Sequence, residues 1–311
     1  RGTLFLSLGL VGLILLAYPL NILPIGYVLA SMGYWLTRNT GYLWIGVAES
    51  VVLATLGVML MKERFEVRQQ RYTESFLDIE KQLDFVGDLR FMIAKEWLEL
   101  RRSGSLFPAI AGFSGHLLAI YFVSWLFQVG FGVPINFNVI FFSGFVGFMG
   151  VMTYSFLTNL EHNEYLNVQP VGVDMVVKAK LAIYLILTSG VTVGYVFMIG
   201  VLKGQPEMIP MGLVVSASTS LFVVAVTAYL TGLWTNTMFF GAKTILKFTA
   251  IVVPPLTVIE IASMMMQFKP ALAVQVIYGS SILLLVTAGV IFSRLPDKWR
   301  DTTFSYVSTG V

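Results

Sequence analysis

With 311 residues, 57% of them hydrophobic and only 12% charged, and a mean hydropathy of +0.80, the chain lies outside the composition of soluble globular domains. It has no cysteine, which excludes disulfides, thiolate metal sites and a cysteine nucleophile. The net charge of +3 matters less than where the Lys and Arg residues fall along the chain.

The apolar runs approach the roughly 20 residues that one helix needs to cross a bilayer, and they lack the ~10-residue alternation of barrel strands. The expected class is an all-α polytopic membrane protein with about eight transmembrane helices. The chain begins at Arg1 and is read as a piece of something longer, with no cleavable signal peptide. The first run, 3–36, carries Pro19 and Pro24 and reads as one kinked or tilted span followed by an interfacial turn. The second, 42–61, is a clean span, and together they form an N-terminal region, 1–61.

The connector, 62–104, follows with nine Lys/Arg and nine Asp/Glu and no stretch able to enter the bilayer. In its last part Leu89, Met92, Ile93, Trp97 and Leu100 recur at helical spacing, while Arg90, Lys95, Glu99, Arg101 and Arg102 occupy other faces. An amphipathic helix lying at the headgroup level is expected there, with Trp97 as its anchor.

Six further spans are expected at 106–129, 138–157, 181–202, 208–230, 248–266 and 271–292, within a transmembrane domain 105–293 and ahead of a tail, 294–311. With the connector on the cytoplasmic side, strict alternation places seventeen basic residues inside and only Arg38, Lys203 and Lys269 outside. That asymmetry supports both the span count and the orientation, with both termini cytoplasmic in a multi-pass cell-membrane protein.

The polar stretch 161–180, EHNEYLNVQPVGVDMVVKAK, interrupts the apolar runs at the inner face. Pro170 biases Gln169 towards extended backbone and can only start a helix, so a turn and then a short helix leading into the next span are expected. Taken alone, these residues read as an ordinary solvated loop. Gly241-Ala242-Lys243-Thr244 ends like a phosphate-binding loop but lacks the glycine directly before the lysine and the one five positions earlier. It reads as a cytoplasmic turn with snorkelling lysines, and no cofactor is expected on this chain.

Glu49 and Glu260 stand inside apolar spans, where an ionisable group is a functional candidate by default. Glu260 follows Pro254-Pro255, expected to break the fifth of these six spans, and is assigned either to a transport pathway or gate or to a hydrogen-bonded packing contact or an outer re-entrant element. His116 and His162 fall at opposite ends of spans, too far apart to share a metal, and His116 is expected to bridge helices. Gly190 and Gly194, and the three-residue series Gly144, Gly147 and Gly150, are expected to let helices pack closely within or between subunits.

Glu164, Leu166, Pro170, Val171 and Lys180 have the order and spacing of the cytoplasmic loop of type-2 ABC transporter permeases, which this chain resembles. AKEWLELRRS at 94–103 is similar to that family's connecting helix, and YLTGLWTN at 229–236 to the segment after its fourth span. The likeness covers about two thirds of the chain, 89–294. Asn167-Val168-Gln169 is more polar than the family pattern, and the first two spans are extra to it. They would end a preceding permease half, with the remainder as the C-terminal half.

The resemblance implies a permease, of exporter type, with Glu96, Arg101, Glu164, Pro170, Val171 and Asp174 forming the socket for a separate ABC ATPase that carries ATP and Mg. Another permease half or a homodimer partner would complete it, in contact with the lipid bilayer and with no nucleic acid. The alternatives from other classes are an ion-coupled secondary transporter using Glu260 and a non-transporting membrane scaffold whose connector binds a soluble partner.

Overall fold

The computed structural model describes residues 76–125, 137–160, 171–237 and 241–304, with Val51, Thr55, Gln128 and Leu166 besides. The two expected N-terminal spans lie outside these residues apart from Val51 and Thr55, as do Glu49, His162, Glu164 and Pro170. The chain divides into two compact units, Arg1–Thr73 with Phe122–Pro134, and Glu74–Tyr121 with Ile135–Val311. In the first, Phe122 and Trp125 stack with ring centroids 5.7 Å apart. The second carries nearly all of the described helical structure.

All regular structure among the described residues is helical: α1 (Phe76–Gln82), α2 (Arg90–Arg102), α3 (Leu106–Trp125), α4 (Val139–Thr158), α5 (Val173–Leu202), α6 (Ile209–Thr231), α7 (Ala242–Met265) and α8 (Pro270–Trp299). The last six are long and apolar enough to cross a bilayer, which makes this a multi-pass helical membrane protein. They correspond to the last six of the eight expected spans.

Their order alternates. Asn138, ahead of α4, donates to Ser263 O near the end of α7, and Gln205, before α6, accepts from Val139 N. At the other end, Tyr154 of α4 donates to Gly232 O after α6, and Trp299 of α8 donates to Ala228 O of α6. The bundle thus has a connector end, which also carries α1 and α2, and an opposite end.

Helices α4 and α6 form the centre, each burying 72% of its membrane-length window, against 39% or less for the other four. Glycines make this possible on α4. A Cβ at Gly144 would collide with the carboxylate of Glu260 on α7, one at Gly147 with the backbone of Thr219 and Ser220 on α6, and one at Gly150 with the hydroxyl of Tyr184 on α5. One small-residue face therefore receives three different helices. Gly190 and Gly194, expected to pack helices within or between subunits, meet no atom of the described residues within 4 Å of an added Cβ.

The short helix expected to lead from the polar loop into the next span is continuous with it. α5 begins at Val173, eight residues before the apolar run, because Asp174 suits a helix's first turn and pairs with Lys178 one turn on, at 3.2 Å. Its 30 residues extend about 45 Å, more than a ~30 Å hydrocarbon core requires, so its first turns project beyond the membrane-length part. Ala242, Lys243 and Lys247 belong to α7 itself and form no turn. The expected break at Pro254-Pro255 is absent, for α7 runs unbroken through both. Two prolines remove only two backbone donors, and in hydrocarbon the helix remains the conformation that satisfies the rest.

The turn after α6 depends on Gly232, whose φ of 57° and ψ of −118° are rarely open to residues with a side chain. The Trp299 ring lies against it, with carbon atoms 2.8–3.0 Å from where a Cβ would stand. Gly232→Ala is expected to lower stability by about 1–3 kcal/mol, read as an earlier thermal transition of the purified protein. An unchanged transition would show that this turn relaxes freely.

Candidate functional site

Glu96 lies four residues after Met92 and four before Leu100, so it shares their inward face of α2 although it is charged. It is only 7% exposed. Its carboxylate accepts a hydrogen bond from Lys180 Nζ at 2.8 Å through Oε2, and its Oε1 lies 3.6 Å from Lys95 Nζ. Lys180 is fully buried at 0% exposure and donates a second bond, 3.0 Å long, to Leu157 O in the last turn of α4. An ammonium suits that position, where the carbonyl end of a helix carries partial negative charge. One lysine on α5 thereby ties together α2 and α4.

A second polar cluster sits on the same end of α4. Thr235 Oγ1 is shared by Thr158 Oγ1 at 2.7 Å and Ser155 Oγ at 3.0 Å, and the Asn159 and Asn236 amides exchange reciprocal bonds of 3.2 and 2.9 Å. With the Tyr154 bond to Gly232 O, these contacts join α4 to the 229–236 segment singled out in the sequence. The end of α8 closes on the same segment: Lys298 donates to Tyr229 O, and its Nζ stands 4.0 Å over the Tyr229 ring centroid.

Around this junction the predicted socket residues occupy distinct places. Glu96 is inside the protein, bonded to Lys180, while Arg101 is exposed in the last turn of α2. Leu166 is 2% exposed and belongs to the core beneath α2 and α5, with Val171 packed against it. Asp174 is half-buried and paired with Lys178. The structure thus gathers Glu96, Leu166, Val171 and Lys180 around one apolar core, with Asp174 and Arg101 further out. Trp97, expected at the headgroup level, is half-buried against that core.

Glu260 stands apart from all of these. Its contact Gly144 lies fourteen residues from Thr158 along α4, about 20 Å towards the opposite end. Its Oε1 fills the Gly144 notch, while Oε2 is buried with no hydrogen-bond partner among the described residues. The Glu260 backbone carbonyl accepts from Ser263 Oγ at 2.7 Å. At that same end Lys203 lies over the Phe142 and Tyr121 rings, 5.6 and 5.8 Å from their centroids, and burial lowers the pKa of its ammonium below the usual lysine range. His116, expected to bridge helices, is exposed among the described residues, and its Nδ1 lies 2.6 Å from Gly112 O of its own helix.

Neither the partner of Lys180 nor the roles of Tyr154, Thr158 and Thr235 were read from the sequence. The first was detectable: a carboxylate on an apolar helical face needs a cation, and Lys180 is the last charge before a long apolar run. The hydroxyls had no such signal, because Ser and Thr are ordinary in membrane helices, where they bond back to their own backbone. No family model, curated protein or solved structure matches the chain.

Proposed function

We propose that this chain is the membrane-spanning permease subunit of an ATP-driven type-2 ABC transporter, an exporter working with a separate ATPase. The observation that carries the proposal is the buried Glu96–Lys180 pair, which fastens the connecting helix to the first turns of α5, where the polar loop re-enters the bundle. Force applied at the loop would not dissipate in a loose tether. It would pass through Lys180 to α2 and to the end of α4, the helix whose three glycines receive α5, α6 and α7.

In this reading the connector end and both termini face the cytoplasm of a cell membrane. Arg101, Glu164, Pro170, Val171 and Asp174 meet the ATPase, Glu96 holds the lever in place, and ATP and Mg bind on the partner. A second permease half or a second copy completes the pathway.

The test is co-purification from native membranes in mild detergent, followed by ATP-driven flux in vesicles. An ATPase that remains bound, with flux abolished by joint replacement of Glu164 and Pro170, is the expected result. Purification with no ATPase, or undiminished flux in that variant, rejects the reading. The open oxygen of Glu260 favours a second possibility, an ion-coupled carrier. Flux that needs an ion gradient, persists without ATP and is lost in Glu260→Gln would select it.

A further inference from the structure

Between α5 and α6, at mid-height of both helices, lies a cavity of about 350 Å³ that opens sideways from the bundle. Thr188, Ser189, Thr192, Ser216 and Ser220 line it, with Leu185 and Leu221 on the connector side and Val193 and Leu213 on the other. Four of the five hydroxyl residues are 8% exposed or less, so the polar wall is built into the packed interior. Its volume lies within the range of small-molecule sites.

The hydrogen bonds of that wall are polarised. Thr188 donates to Tyr184 O at 2.8 Å, Ser189 to Ile186 O at 3.3 Å and Ser216 to Leu213 O at 3.0 Å. Ser220 shares a 2.8 Å bond with the Tyr184 hydroxyl, which is seated in the Gly150 notch. A hydroxyl that has committed its proton to the backbone retains acceptor lone pairs and nothing to donate. The cavity therefore presents acceptors at the depth where a bilayer supplies no water to meet them.

We propose that this cavity binds a small, neutral, membrane-soluble molecule carrying a single O–H or N–H donor on an otherwise apolar body. The donor bonds to the Thr188, Ser189 and Ser216 oxygens, and the leucines on either side hold the apolar parts. Neutrality follows from depth, since a charge near the middle of a membrane is strongly disfavoured. The site needs no ATPase and no transport cycle, so it stands or falls separately from the function proposed above.

The competing occupant is a helix of a second copy, for which the open Gly190 and Gly194 beside the cavity leave room. The experiment separates the two. The full chain in phospholipid nanodiscs is photolabelled with a diazirine-bearing octanol and, in parallel, with its methyl ether, which lacks the donor, and adducts are mapped by mass spectrometry. Saturable labelling on α5 and α6 is expected, with the ether about five-fold weaker, the loss of one hydrogen bond.

Ala217→Trp, which fills the cavity from an exposed position, is expected to abolish the labelling while leaving the thermal transition in place. Equal labelling by alcohol and ether, or labelling that survives in a folded Ala217→Trp protein, overturns the proposal. Because the chain has no cysteine, Ser189→Cys supplies a single thiol for oxidative cross-linking in membranes. Quantitative cross-linked dimer with no alcohol labelling also overturns it, and assigns the groove to a second copy.

Discussion

Lys180→Met is expected to destabilise the protein by about 3–5 kcal/mol, because it leaves the Glu96 carboxylate inside the protein without its closest cation. Glu96→Leu should cost a similar amount by stranding the ammonium. The double variant, Glu96→Leu with Lys180→Met, is expected to recover to within about 1 kcal/mol of the original protein, since an apolar pair of similar volume loses attraction and desolvation cost together. Unfolding of the four proteins by heat or SDS in the same detergent measures this cycle. If the double variant is no better than either single one, the two side chains do not act as a pair. Transport gives an independent reading: a double variant that is stable yet uncoupled from ATP would assign the charges to force transmission, and one that is stable and fully coupled would make the pair purely structural.

The second large effect concerns glycines that look alike in sequence. Gly147→Ala is expected to cost about 1–3 kcal/mol or more, because its methyl group would meet rigid backbone at Thr219 and Ser220, neither of which can rotate away. Gly190→Ala and Gly194→Ala meet nothing among the described residues and should be neutral, or stabilising by up to about 1 kcal/mol through the better helix propensity of alanine. The same unfolding measurement decides. Equal losses at all three positions would mean that the outer glycines are covered by a partner in the assembled protein.

The contrast between these glycines marks where legibility ended. Both sets read as close-packing faces because spacing alone identifies a small-residue stripe, and spacing is the same whether the stripe meets a neighbour or nothing. The α7 prolines show the opposite limit. Local rules give a break after Pro254 and Pro255, and the hydrogen-bonding demand of the membrane overrides them. Within the candidate site, Leu166 and Val171 are marked by their place in a loop pattern, whereas the hydrogen bonds that join Tyr154 and Thr235 to the site reach residues 78 and 77 positions away in the chain.

That the chain crosses a membrane as helices, roughly where six of them run, and how their ends alternate were already contained in the order of its residues. Those properties follow from the length of apolar runs and the placement of Lys and Arg, which are local quantities. The central place of α4 and α6, the inward turn of Glu96 to Lys180 and the seating of Glu260 in the Gly144 notch arise only when the bundle assembles. The reason is that most of these helices are apolar on every side. In hydrocarbon such a helix has no face that its own residues oblige it to bury, so its neighbours are selected by shape and by a few polar pairings that exist only once the helices have met.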